Sequence, residues 1–220
     1  MKNFKTLFII LVSIFIIVSC AFFKSFKEGL TNNDNNYNIV LIGDSVLNNS
    51  NYVPSGKSVV DNLKTKTTKV FDFAKDGATI NDSYSQLDKI PVDLNKTETY
   101  IFISAGGNDI LNNRGQLTSP EIRRLFDNYM EFLKAVRTKF GSAKINVLNL
   151  YLPSNPRYQT YKTSIDQWNQ LIKEYSSKIG EMYNVINLDT LLTTPNDFVY
   201  DIEPSEFASQ KIANAIYLTR

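Results

Sequence analysis

A three-layer α/β/α domain around a parallel sheet is the fold class this chain predicts, on three observations. Beyond residue 38, short uninterrupted apolar runs alternate with longer amphipathic stretches, and strands buried on both faces between crossover helices read in that way. The amphipathic stretches carry helix punctuation, with proline near the start and glycine just past the end. The length that remains after an apolar N-terminal segment is set aside fits one domain with a sizeable core.

The strand candidates, in order, are residues 38–42, 69–73, 99–104, 145–151 and 184–188. Residues 119–140 form a helix that opens on Ser119-Pro120-Glu121, a cap followed by proline at the first helical position, and stops at Gly141. Residues 161–179 form another, with Ile165, Trp168, Leu171, Ile172 and Tyr175 on one face before Gly180. A last helix over 204–217 starts with Pro204 at its first position and offers Phe207, Ile212, Ala215 and Ile216 to the sheet. In open sheets of this kind ligands sit at the carboxyl ends of the strands, so the loops after the first and third strands become the places to look for chemistry.

Composition narrows the function. The formal charge of +2 arises from interspersed Lys, Arg, Asp and Glu, which leaves no basic stripe to neutralise a run of phosphates and disfavours nucleic acid as a partner. Lys64, Lys66 and Lys69 cluster, and a solvated helix end leading into a strand accounts for them. Asn48, Asn81 and Asn95 each begin an N-x-S/T sequon, a frequent accident in an Asn-rich chain, and carry no argument.

Residues 1–28 read as an N-terminal membrane segment. From Leu7 to Phe23 the chain is apolar apart from Ser13, Ser19 and Cys20, and Lys2, Lys5, Lys24 and Lys27 bracket it. Its length suits both a retained anchor and a cleaved signal peptide. Ile17-Val18-Ser19-Cys20 resembles the lipobox of bacterial lipoproteins, and lipidation of Cys20 stands beside the plainer reading of a small apolar residue in a membrane segment. Either way the expectation is a domain outside the cytoplasm, over residues 38–220, joined by a polar Asn-rich linker over 29–37. No cysteine remains in that domain, so its stability does not depend on disulfides.

Three short blocks follow the first three strands: Ile42-Gly43-Asp44-Ser45, then Lys75-Asp76-Gly77-Ala78-Thr79, then Gly106-Gly107-Asn108-Asp109. Singly, each reads as a turn. Together and in this order they resemble the nucleophile and oxyanion blocks of the SGNH (GDSL) hydrolases, and the resemblance spans nearly all of residues 38–218. Asn149 to Pro153 and the helix carrying Asn169 look like the loop and helix that follow the fourth strand in that family. The resemblance implies a flavodoxin-like SGNH-hydrolase fold with a five-stranded parallel sheet. It also implies hydrolysis of lipid, glycan or small O-acyl esters through an acyl-serine on Ser45. The oxyanion would be held by the Asn108 side chain and the backbone N–H groups of Gly77 and Ser45, with neither metal nor organic cofactor. Asp44 and Asp109 read as scaffolding for their turns.

One part of the pattern is missing. The chain has no histidine, whereas the family's last block reads Asp-x-x-His, usually with Pro next. The corresponding segment is Tyr200-Asp201-Ile202-Glu203-Pro204-Ser205, which puts Glu203 at the histidine position and leaves Asp201 one residue out of register. An unperturbed Glu, at a pKa of about 4.3 against about 6.5 for His, is the weaker base. Burial or a neighbouring carboxylate such as Asp201 would raise it. Two functions stay open on the sequence: an esterase using Glu203 as surrogate base, or an inactive domain that binds an ester or glycan. A purely structural role leaves Gly77 and Asn108 without purpose.

Overall fold

The computed structural model describes residues 37–113, 117–178 and 183–220. The expected membrane segment, Cys20 and the linker up to residue 36 lie outside the described residues. Among the described residues no helix is long and apolar enough to cross a membrane.

Five strands form one parallel sheet: β1 (Asn38–Gly43), β2 (Val70–Asp72), β3 (Thr99–Ser104), β4 (Lys144–Leu148) and β5 (Tyr183–Ile186). Their spatial order is β2-β1-β3-β4-β5, with every neighbouring pair parallel. The chain steps outward from β1 to β2, crosses back to β3, and then winds the other way. The order therefore reverses between β1 and β3, and their carboxyl ends open the crevice in which doubly wound sheets place ligands.

Alternate residues of each strand serve opposite faces. Val40 and Ile42 of β1, with Ile101 and Ile103 of β3, pack under three helices: α2 (Ile80–Lys89), α4 (Ser119–Lys139) and α5 (Lys162–Lys178). A short helix, α3 (Gly107–Asn112), contributes Ile110 to the same cluster. Ile39, Leu41 and Phe102 point the other way, onto α1 (Val59–Lys64), α6 (Leu188–Leu191) and α7 (Glu206–Thr219). The three expected layers are thus present, each sealed by side chains at helical spacing.

Several boundaries differ from the sequence expectation, each for a local reason. The cap of α4 is Thr118: its hydroxyl and backbone N–H donate to Glu121 at 2.6 and 2.7 Å in a capping box, which moves Pro120 to the second helical position. The fourth strand ends at Leu148, because the Asn149 side chain turns away to accept from the Leu188 N–H at 2.5 Å. The final helix begins at Glu206, capped by Ser205. Pro204 lies instead in a two-stranded hairpin of β6 (Phe198–Val199) and β7 (Glu203–Pro204). Ala208, Ser209 and Ile212 are buried on the inner face of this helix, while Phe207, expected to pack there, is 58% exposed.

Gly43 closes β1 at φ 137°, and a Cβ there would sit 1.9 Å from the Ser104 carbonyl oxygen of β3. Backbone strain and a clash with immovable backbone act together. Gly43→Ala should therefore cost about 3 kcal/mol or more of stability. Chemical denaturation followed by circular dichroism measures it; an unchanged midpoint would mean that β1 and β3 are not held this closely.

Candidate active site

Ser45 stands at the turn directly after β1, where close approach of the chain to β3 excludes any residue but glycine at position 43. Gln86 of α2 clamps this turn: its amide accepts from the Gly43 N–H at 2.7 Å and donates to the Gly43 carbonyl at 2.8 Å. Asp44 holds the following bend. Its Oδ1 accepts from the Val46 N–H at 3.1 Å and from the Ser104 hydroxyl at 2.8 Å, which is the scaffolding role expected of it. Complete burial lifts the Asp44 carboxyl to about 7, against the opposing pull of those two donors.

Asn108 reaches the same pocket from the start of α3. The preceding Gly106 has φ +101°, and a Cβ on it would lie 2.3 Å from the buried Trp168 ring, so close packing of the loop on α5 fixes where α3 begins. The Asn108 amide donates to the Ala78 carbonyl at 2.9 Å, and Asp109 Oδ2 accepts from the Ile80 N–H at 3.1 Å. These two bonds stitch the second and third blocks together. An amide nitrogen carries two N–H groups, so Asn108 can hold Ala78 with one and present the other to an oxyanion. Gly77, at φ +73°, is not among the residues lining the pocket; its connection to the site runs through Ala78, its neighbour.

Glu203 arrives from a distant part of the chain. It lies in β7 opposite Val199 and lines one pocket with Asp44, Ser45 and Asn108. Burial pushes its carboxyl above the usual range, the Ser45 hydroxyl beside it works in the opposite direction, and the charge of Asp76 adds to the rise. The contact with Ser45 leaves Oε2 of Glu203 buried without a well-formed hydrogen bond. Asp201, expected as the neighbour that would raise Glu203, does not play that part. It is the second turn residue of the hairpin, at φ 71°, and its side chain pairs at the surface with Arg157 at 3.2 Å.

Three residues that the sequence did not single out hold the Glu203 hairpin in place. Asn49, fully buried, donates to the Pro204 carbonyl at 3.0 Å and to Ser209 Oγ at 2.6 Å, while accepting from the Val59 N–H at 3.0 Å. Tyr151 donates to the Ile202 carbonyl at 2.8 Å. Asp197 accepts from Lys211 at 2.6 Å and from the Thr194 N–H at 2.9 Å, and its carbonyl accepts from the Ser205 N–H at 2.9 Å. In an Asn-rich chain Asn49 carries no distinguishing signal; its burial makes it structural.

The rest of the pocket is apolar: Val46, Ile110, Leu111, Leu150 and Ile165 line it with the rings of Tyr158 and Tyr161, around a cavity of about 60 Å³. Leu150 is fixed there by Asn169 of α5, which accepts from its N–H at 2.9 Å and donates to its carbonyl at 2.7 Å. Among the described residues no group of three or more His, Cys, Asp or Glu is placed to hold a metal ion. A hydroxyl, a half-buried carboxylate and a side-chain amide thus meet around a small apolar space, an arrangement suited to attack on a carbonyl carbon whose substituent fills that space.

Comparison with known proteins bears on the family and the fold. The sequence profile of the family described as GDSL-like Lipase/Acylhydrolase matches residues 39–216. No curated protein sequence matches the chain. Among solved structures, a member of the lipolytic protein G-D-S-L family from Veillonella parvula DSM 2008 is 17% identical at a TM-score of 0.65, covering 81% of this chain and 95% of that one. The lipase Lip_vut3 from a goat rumen metagenome is 17% identical at a TM-score of 0.65, covering 83% and 96%. A lipase/acylhydrolase from Enterococcus faecalis is 22% identical at a TM-score of 0.61, covering 83% and 94%. At such identities the likeness to these structures is one of fold.

Proposed function

The chain belongs to the GDSL-like lipase/acylhydrolase family, and from that premise we propose that it hydrolyses O-acyl esters through an acyl-serine on Ser45, with Glu203 as general base. The observation that carries this reading is that Glu203 lines the same pocket as Ser45 and Asn108.

In the first half-reaction the Ser45 hydroxyl attacks the ester carbonyl while its proton passes to Glu203. The charge that develops on the carbonyl oxygen is met by the second N–H of the Asn108 amide, with the backbone N–H of Ser45 as a further donor. Collapse of the tetrahedral intermediate expels the alcohol, which takes the proton from Glu203. Water then attacks the acyl-serine, giving its proton to Glu203, and the acid departs as Ser45 is reprotonated. The apolar lining of the cavity suits an acyl substituent rather than a charged one. Glu203 is suited to its part because burial and Asp76 raise its proton affinity, which narrows the gap to an imidazole.

The test is hydrolysis of p-nitrophenyl acetate by the full-length protein from about pH 4 to pH 8. A rate that climbs through the acidic range and is absent in Ser45→Ala supports the esterase; indistinguishable wild-type and Ser45→Ala traces remove it. Asn108→Ala should lower kcat by about 10²–10³-fold with a much smaller change in KM, because its donor acts mainly in the transition state. An equal loss in KM would assign Asn108 to ground-state binding.

One observation favours a second reading, a binder without turnover. Among the described residues Glu203 Oε2 is a buried oxygen with no well-formed hydrogen bond, an acceptor that a ligand hydroxyl reaching it would satisfy. On either reading the N-terminal apolar segment and its flanking lysines support a domain outside the cytoplasm, tethered to or released from a membrane.

A further inference from the structure

The hairpin that delivers Glu203 turns through two residues that rarely adopt its geometry. Tyr200 and Asp201 have φ 47° and 71°, two successive left-handed residues in the three-residue loop between the paired Val199 and Glu203, a conformation that glycine or asparagine normally fills. The Ile202 N–H closes the turn on the Val199 carbonyl at 3.2 Å. A bulky residue held in this region is strained, and such strain persists where the surroundings impose it, often beside ligands. The Tyr200 ring at this turn is 73% exposed, three residues from the proposed base.

That ring is not isolated. It lies 5.9 Å from the Tyr52 ring at an interplanar angle of 59°. The Tyr52 hydroxyl donates to Asp76 Oδ2 at 2.7 Å, and Asp76 precedes the oxyanion-block residue Gly77. The other end of the turn is pinned by the Asp201–Arg157 ion pair. Neither Tyr52 nor Tyr200 lines the apolar pocket. The two rings form a separate open surface, reaching from the Glu203 hairpin to the Gly77 loop and edged by charged groups.

We propose that Tyr200 and Tyr52 form a stacking shelf for a pyranose, the alcohol half of a carbohydrate ester whose acyl group enters the apolar pocket. This rests on the ester-hydrolase reading of the Ser45 site. A pyranose presents a C–H face that covers an aromatic ring and an equatorial rim of hydroxyls that need polar partners. The exposed Tyr200 ring and the half-buried Tyr52 ring beside it, bordered by Asp76 and by the Arg157–Asp201 pair, supply both. A long aliphatic alcohol would cover the rings while stripping water from these charges with nothing in return.

The experiment uses full-length Ser45→Ala protein, which cannot turn over, and methyl 6-O-acetyl-β-D-glucopyranoside as probe in saturation-transfer NMR. Saturation should reach the sugar ring protons. Adding Tyr200→Ala should weaken binding by roughly tenfold, while Tyr200→Phe, which keeps the ring, should stay within about twofold. No saturation of the ring, or equal affinity in the Tyr200→Ala background, overturns the shelf. The p-nitrophenyl acetate assay reads the other claim separately. Hydrolysis without ring saturation removes the shelf alone. Ring saturation without hydrolysis supports the shelf as a sugar site and removes the hydrolytic reading.

Discussion

Glu203→Gln should lower kcat for an activated acetyl ester by at least about 10²-fold, and Ser45→Ala should reduce it to the uncatalysed background. The substitution keeps the shape of the side chain and removes only its ability to take a proton. Because Glu203 lies in a two-residue strand held from outside by Asn49, Tyr151 and Asp197, the amide should leave the hairpin standing. The effects should not add: the double variant should resemble Ser45→Ala alone, since nucleophile and base act as one unit. Pre-steady-state mixing with p-nitrophenyl acetate separates acylation from deacylation, and both should slow in Glu203→Gln. A Gln variant with wild-type kcat would show that Ser45 works without this carboxylate.

Stability should be greatest in mildly acidic solution and decline toward pH 8. The sign follows from Asp44. Its folded-state carboxyl is raised to about 7 by burial, so the folded chain holds a proton that the unfolded chain releases near pH 4. The stabilisation from that proton is complete below about pH 4 and is lost as pH rises through about 7. A displacement of that size corresponds to a few kcal/mol. Asp72, raised to about 6 by burial, acts in the same direction. Asp197, lowered by Lys211 and Thr194 against its own burial, acts oppositely and limits stability at the acid end. Thermal unfolding at pH 5 and pH 8 should give the higher Tm at pH 5. Asp44→Asn should flatten the difference by removing the charge that forms on titration. A Tm that rises steadily from pH 5 to pH 8 would mean that Asp44 is ionised at little cost in the folded protein.

The pH dependence of activity bears on the same pair. The base form of Glu203 forms as pH rises through its elevated titration range, and Asp44, lifted to about 7 chiefly by burial and in smaller part by the charge of Glu203, titrates beside it. Ionising both places two like charges around one serine, so the rate should fall again toward alkaline pH, with the two limbs belonging to the coupled carboxylates jointly.

Much of this protein is fixed locally and is therefore written in its sequence. Continuous apolar runs such as Ile39 to Ile42 and Ile101 to Ile103 have no stable place except a sheet covered on both faces. The blocks after β1 and β3 meet because parallel strands put their carboxyl ends on one edge. For that reason Ser45 and Asn108 could be named before any coordinates, and the absence of histidine posed the chemical question unaided. What only the tertiary structure decided concerns groups joined across long stretches of chain. Pro204, a helix-start signal by itself, is drawn into a hairpin by Asn49, which lies 155 positions earlier. Asp201, plausible in sequence as a partner of Glu203, is turned outward to Arg157 by left-handed backbone. The proton affinity of Glu203 depends on desolvation and on Asp76, both set by folding. Periodicity and turn chemistry act over a few residues, whereas burial and electrostatics sum over every segment that the fold brings near, and the character of the base belongs to the second kind.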